Sequence, residues 1–330
     1  MKIAINGFGR IGKNFLRAYL NDVYAREKIQ IVAINVGPAT TEFLAPLFKY
    51  DTLMGTYPGH VTYKNGTLNI DDVSYPILQT ADPVWFDFNV DWVVDCSGAY
   101  TQRERAEQHI KNGAEKVLIS APAHNEDITI IPGVNAKQFD SDTHAIVSLG
   151  SCTTNALAPM MKVLQQQCGF QQGFMSTVHA YTNSQCLLDG YNKDPRRARA
   201  AALNIVPTTT GATKVIDKIF PDLMGNLGGM AYRVPVGKVS MVDICFVSSK
   251  ELSYFDINAA FENAAKDTMR GIVDVTMEPL VSSDIAGNSH SVIIDGSLTQ
   301  ASGTMGKVFG WYDNEWGYSM RLKDFLMEQY

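Results

Sequence analysis

Gly7-Phe8-Gly9-Arg10-Ile11-Gly12 stands directly between two patterned runs. Lys2–Ile5 before it reads as a short buried strand. Arg10–Arg26 after it reads as a helix, with Ile11, Phe15, Ala18 and Tyr19 on one face. Glycines spaced G-x-G-x-x-G between a strand and a helix are a dinucleotide-binding fingerprint. Gly7 permits a tight turn, Gly9 lets the backbone approach a pyrophosphate, and Gly12 lets helix and strand pack closely. The helix start adds amide donors and a positive dipole end. A chain that opens this way is committed to a parallel βαβ unit.

The next segments keep that alternation. Ile29–Ile34, Val90–Cys96 and Lys116–Ser120 are strand-like, and Gln102–Asn112 is helical. Thr40–Tyr50 reads as a short helix whose threonines can cap it. His60–Ile70 reads as a hairpin turning at Asn65-Gly66. The pattern predicts a Rossmann-type α/β domain. Beyond Gly150-Ser151 the style changes. Phe174–Tyr181, Met230–Val236, Lys238–Ser248, Ile272–Met277, His290–Asp295 and Lys307–Asp313 are longer strands, and Asp256–Met269 is a helix. Strands in succession predict an α+β domain with a mainly antiparallel sheet. Glu315–Tyr330 reads as a closing helix.

Composition narrows the function classes. At 330 residues the chain suits two domains. A net charge of -6 argues against a general nucleic-acid or anionic-membrane binder, so neither is an expected partner. No window approaches 18 apolar residues without charge, and Asn6 and Gly7 cut short the apolar run of any leader peptide. The five cysteines are odd in number, scattered and free of any C-x-x-C, which argues against disulfides and a zinc site. The expected setting is a reducing cytoplasm, and no metal is expected.

The second strand of a dinucleotide fold ends in an acid that grips the adenosine ribose. Here it ends Ala33-Ile34-Asn35-Val36-Gly37. Without that carboxylate a 2′-phosphate meets no local repulsion, and Thr40 and Thr41 stand where a helix N-terminus could receive it. No Arg or Lys lies between Val36 and Phe48, so a local cationic clamp is absent too. NADP or dual use is the reading favoured over NAD alone.

Cys152 lies in Ser151-Cys152-Thr153-Thr154-Asn155, after the strand-like Ala145–Leu149 and before the apolar run Ala156, Leu157, Met160, Met161 and Leu164. That puts the thiol at a helix start, where the dipole lowers its pKa, with Ser151 as the cap. A thiolate there is a nucleophile, and nearby amides could receive an oxyanion. Cys96, Cys168, Cys186 and Cys245 read as inert core. Among the histidines, His60, His109, His124 and His144 show no catalytic setting, and nothing polar converges on His290. His179 ends a strand and enters the polar loop Ala180–Gln185, which makes it the candidate base. Arg196, Arg197 and Arg199, taken alone, read as a solvated charge run.

Four segments together resemble one family. They are Ile5–Gly12, Ser151–Asn155, His179-Ala180-Tyr181-Thr182 and Trp311-Tyr312-Asp313-Asn314-Glu315-Trp316-Gly317-Tyr318. The chain is similar over essentially its whole length to phosphorylating glyceraldehyde-3-phosphate dehydrogenase. The resemblance implies oxidation of glyceraldehyde 3-phosphate to 1,3-bisphosphoglycerate, in glycolysis or gluconeogenesis. It implies Cys152 as nucleophile and His179 as base, with a thiohemiacetal and then a thioester on the sulfur. It implies one phosphate pocket at Thr182 and Arg233, and a second at Ser151, Thr153, Arg197, Thr210 and Gly211. For the cofactor it implies Gly7, Gly9, Arg10, Ile11, Gly12, Asn35, Ser120, Asn314 and Tyr318. Residues 1–150 and 315–330 would then form the dinucleotide domain, and 151–314 the catalytic domain. The segment 181–204 resembles the S-shaped loop that lines a neighbouring subunit's cofactor site, which implies a homotetramer.

Three positions depart from the family pattern. Val36 replaces the ribose-binding Asp of NAD-specific members, and Gly190-Tyr191 stands where they usually carry Leu-Pro. Both point toward NADP or dual use. Ala156 replaces a frequent second cysteine. The nearest rival is erythrose-4-phosphate dehydrogenase, whose members usually lose the Ala-Tyr-Thr found here at 180–182. A rival of another class is a non-catalytic nucleotide-binding protein.

Overall fold

The computed structural model describes residues 1–329. The chain divides into two units. The first comprises Met1–Ile130, Ala136–Gly150 and the tail from Ser319, and the second Ile131–Asn135 and Ser151–Tyr318.

In the first unit a nine-stranded sheet is centred on Lys2–Asn6, which pairs in parallel with Gln30–Asn35 on one side and Val90–Asp95 on the other. The chain fills one side of this strand and then crosses to the other. The carboxyl end of Lys2–Asn6 is therefore a topological switch point, where such sheets open a crevice. Ala114–Ile119, Ile146–Ser148 and Ile128–Thr129 extend the parallel part. Val61–Lys64 and Thr67–Ile70 add the expected antiparallel hairpin, turning at Asn65 and Gly66 with positive φ.

Two local expectations fail here. The helix from Arg10 stops at Leu20, and a second runs over Val23–Lys28, because the Asp22 side chain accepts from Ala25 N at 3.1 Å and caps a new start. The helix expected from Thr40 begins only at Leu44, with no side-chain cap. Thr40 and Thr41 thus lie outside a six-residue helix and provide no N-terminal anion site.

In the second unit a sheet runs in the order Val206–Thr208, Leu227–Val234, Phe170–Ala180, Ser240–Ser248, Met305–Tyr312, Val292–Asp295, Val273–Thr276. Most neighbours are antiparallel; Phe170–Ala180 with Leu227–Val234, and Val273–Thr276 with Val292–Asp295, are parallel. The helix Cys152–Cys168 buries Leu157, Met160, Met161 and Leu164 in one core with Val242, Ile244, Val292 and Val308 of the sheet. At roughly 2 kcal/mol per buried large aliphatic side chain, this face fixes the helix and hence the position of its first residue.

Candidate active site

Ser151 caps the helix, its Oγ accepting from Thr154 N at 3.0 Å, so Cys152 is the first helical residue. The strand Phe170–Ala180 carries His179 at its far end, in register with Arg233 of the neighbouring parallel strand. Helix start and strand end bring Cys152 Sγ to 3.4 Å from His179 Nε2. Arg233 Nη1 lies 2.7 Å from His179 Nδ1 and donates to Ala180 O at 3.0 Å, while Nδ1 is also 2.7 Å from Ala180 O. Nδ1 thus meets both an acceptor, Ala180 O, and a donor, Arg233 Nη1. In the tautomer that carries the proton on Nδ1 and gives it to Ala180 O, Nε2 faces the sulfur as an acceptor. Beneath the pair, Tyr312 Oη bonds Thr153 Oγ1 and Thr177 Oγ1, each at 2.9 Å, and its ring meets the imidazole edge-on.

Burial sets the electrostatics. His179 is 4% exposed. Desolvation first, and then the Arg233 charge, lower its pKa to about 3, so the resting imidazole is neutral. The Cys152 thiol is raised above its ordinary value by burial, against the pull of Arg233 and of the Thr153 amide and hydroxyl. The helix start alone therefore does not make an acidic thiol here: desolvation outweighs it. The pair rests as thiol and imidazole, poised for proton transfer within one hydrogen bond.

The other sequence candidates fall in several places. Arg233 is drawn in by the strand register, and its Nε is buried without a partner. Arg197 Nε donates to Thr208 Oγ1 at 2.9 Å, and Nη2 to Thr209 O at 3.2 Å; its charge reaches both His179 and Arg233. It is thus no solvated member of a charge run. Thr210 Oγ1 accepts from Ala212 N at 3.2 Å, and Gly211 precedes the helix Ala212–Ile219. Thr182 Oγ1 bonds Ser184 Oγ at 2.9 Å. Asn314 is buried, accepting from Ser240 Oγ at 3.3 Å, and Tyr318 is buried in the same unit.

Two readings need correcting. His290 Nδ1 lies 2.9 Å from Asn288 Oδ1, so one polar group does meet it. Of the four cysteines read as inert core only Cys168 is buried; Cys96 and Cys186 are partly exposed and Cys245 is exposed, because they lie at strand ends, in a loop and on an outward sheet position.

The first unit holds a groove of about 510 Å³ at the switch point, walled by Gly7, Gly9, Asn35, Val36, Cys96 and Tyr100 among others. Its glycines suit a dinucleotide in three separate ways. A Cβ at Gly7 would sit 2.5 Å from Ser97 N, and φ there is +94°. At Gly12 it would sit 2.1 Å from Gly7 O, whereas at Gly9 it would enter open space. Gly9 therefore leaves the groove side clear for a ligand, and the other two close the turn. Arg10 is paired with Asp51. Asn35 ties the rim together: Nδ2 donates to Asn6 Oδ1 at 2.7 Å and to Thr80 O at 3.0 Å. Ser120 hydrogen-bonds Cys96, which lines the groove. Below lies a network the sequence did not reveal, in which Trp85 Nε1 donates to His109 Nδ1 at 3.1 Å and His109 Nε2 is 3.3 Å from Asp95 Oδ2. Among the described residues no group of three or more His, Cys, Asp or Glu side chains is arranged to hold a metal, and no helix is long and apolar enough to cross a membrane.

The profile described as glyceraldehyde 3-phosphate dehydrogenase, NAD binding domain, matches residues 1–103, and that of the C-terminal domain matches residues 151–314. The chain belongs to the glyceraldehyde 3-phosphate dehydrogenase family. It is 46% identical over 329 residues to glyceraldehyde-3-phosphate dehydrogenase 2 of Streptomyces avermitilis, covering 98% of this chain and 97% of that one. It is 45% identical over 330 residues to glyceraldehyde-3-phosphate dehydrogenase 2 of Bacillus subtilis, covering 99% and 96%. To the glyceraldehyde-3-phosphate dehydrogenase of Geobacillus stearothermophilus it is 46% identical over 329 residues, covering 98% and 96%. Family membership bears out the expected pairing of a Rossmann-type domain with a mainly antiparallel α+β domain.

Proposed function

We propose that this chain catalyses the NAD(P)-dependent phosphorylating oxidation of D-glyceraldehyde 3-phosphate to 1,3-bisphosphoglycerate, as a cytoplasmic homotetramer in glycolysis or gluconeogenesis. The observation that carries the reading is the 3.4 Å contact between Cys152 Sγ and His179 Nε2 at a capped helix start.

Sγ attacks the aldehyde carbon, forming the S–C bond, while the thiol proton passes by way of Nε2 to the carbonyl oxygen, giving a thiohemiacetal. Nε2 then takes the hydroxyl proton as the carbon is oxidised to a thioester. The bound nicotinamide supplies the acceptor for the hydride lost in that step. A phosphate oxygen attacks the thioester, the C–S bond breaks, and the sulfur recovers its proton from the imidazolium. A thioester conserves oxidation energy that hydrolysis would dissipate, so phosphate must reach it before water.

Arg233 serves two ends. Its guanidinium is suited to the substrate phosphate together with Thr182, and a dianion there would offset the part of the His179 lowering that the Arg233 charge adds to desolvation. Substrate binding thereby strengthens the base it needs. Arg197, Thr210, Gly211, Ser151 and Thr153 are assigned to the attacking phosphate; for Arg197 its place within electrostatic reach of His179 supports this. The cofactor contacts are assigned to the groove glycines, Arg10, Ile11, Asn35, Ser120, Asn314 and Tyr318, with NADP or dual use because Val36 leaves the strand end uncharged. The homotetramer draws support from the 181–204 segment, where Leu187, Leu188 and Tyr191 are exposed.

Mass spectrometry of the chain after mixing with aldehyde and dinucleotide, without phosphate, tests the covalent route. An acyl adduct on Cys152 that phosphate releases is expected. Its absence, or an equal adduct in Cys152→Ser, would overturn the mechanism.

A further inference from the structure

The adenosine end of the groove has no positive charge of its own in the local sequence, since Val36 follows the second strand and no Arg or Lys comes before Lys49. The fold brings one from a distant segment. After the strand Val90–Asp95 the chain passes through Ser97–Tyr100 and enters the helix Arg103–Lys111. Arg105, in the first turn of that helix, lies in the groove wall with Val36, Gly37, Pro38 and Thr80.

Its guanidinium carbon stands 4.8 Å over the ring of Tyr100. Tyr100 is 3% exposed and anchored, its Oη donating to Ala81 O at 2.7 Å. The buried ring thus sets where the arginine lies. The ion pair the structure gives Arg105 is with Asp82, Nη2 to Oδ1 at 3.9 Å, and both side chains are at least half exposed. A pair so long and so wet holds weakly, and leaves most of the guanidinium fork for a stronger anion.

We infer that Arg105 binds the 2′-phosphate of NADP, an inference that rests on the NADP-or-dual-use reading. A guanidinium fork matches a phosphate dianion, and stacking on Tyr100 orients its plane. The 2′-hydroxyl of NAD carries no charge, so the interaction is differential and sets preference. Asp82 works against it.

Calorimetric titration of the full-length protein with NADP, NAD and adenosine 2′-monophosphate tests this. Arg105→Ala is expected to shift the ratio of NADP to NAD affinity toward NAD by on the order of tenfold. Arg105→Lys should fall between, keeping charge but losing the fork. Asp82→Asn should shift the ratio the other way, by about twofold. Binding of adenosine 2′-monophosphate should weaken with salt in the wild type and lose most of that dependence in Arg105→Ala. An unchanged ratio in Arg105→Ala, including equal loss for both dinucleotides, would reduce Arg105 to a brace of the wall while leaving the cofactor reading intact. A wild type that binds NAD far more tightly than NADP would overturn both.

Discussion

The groove of the first unit offers a ligand mostly backbone and empty space, whereas the Cys152 site offers buried side chains that set one another's chemistry. At Gly9 an added Cβ would meet nothing within 4 Å, and at Gly12 it would collide with Gly7 O. Shape does the work, through residues no more than five positions apart. Around Cys152 the partners come from 27 residues on (His179), from the strand beside that of His179 (Arg233) and from a strand two places along the sheet (Tyr312). Burial there inverts the simple expectation for a thiol at a helix start, against the pull of the adjacent cation. A binding groove can be written locally; a catalytic pair is a property of the fold.

The sharpest way to break this contrast is at the glycines. Gly12→Ala should destabilise the first unit by about 3 kcal/mol, because only backbone can yield. Gly9→Ala should leave urea unfolding unchanged yet lower dinucleotide affinity at least tenfold by calorimetry. Equal effects of the two would show that the groove is not built from shape as described.

Next in size is a pH effect on the catalytic unit. His179 is neutral when folded, with a pKa near 3 against an ordinary 6.5, so the unfolded chain binds its proton first as the medium acidifies. Its stabilising contribution is complete above about pH 6.5 and is lost as pH falls toward 3, with a slope of at most about 1.4 kcal/mol per unit. Denaturant unfolding at pH 6.5 and 5 should therefore cost the wild type roughly 2 kcal/mol more than it costs His179→Asn. Parallel losses would contradict a buried neutral imidazole.

Smallest is Val36→Asp. A carboxylate at the strand end should shift the ratio of catalytic efficiencies toward NAD by about tenfold. No shift would place the source of preference elsewhere in the groove.

How much of this was legible beforehand follows from the same contrast. The strand–turn–helix around Gly7–Gly12, the hairpin at Asn65-Gly66 and the helix capped by Ser151 rest on local rules, and they stand in the structure with ends shifted by a few residues. The helix expected at Thr40 failed because two threonines supply capping chemistry but no apolar face begins until Leu44. Residue patterns alone make His179 only a candidate base, whereas the strand register puts it beside Arg233. Arg105 has no signature near the second strand, where a ribose clamp is expected, because it lies on the helix after a later strand. The usable signal was that the helix after Val90–Asp95 also starts at the switch point. The Tyr312 hydroxyl, 159 residues from its partner Thr153, had no local signature at all.

The central claim is that Cys152 and His179 act as one unit, and rapid mixing of enzyme with aldehyde and dinucleotide in the absence of phosphate tests it most directly. The account predicts a burst of about one reduced dinucleotide per chain in the wild type, slowed at least a hundredfold with its amplitude kept in His179→Asn, and no burst in Cys152→Ser. A burst of undiminished rate in His179→Asn, or any burst in Cys152→Ser, would contradict it.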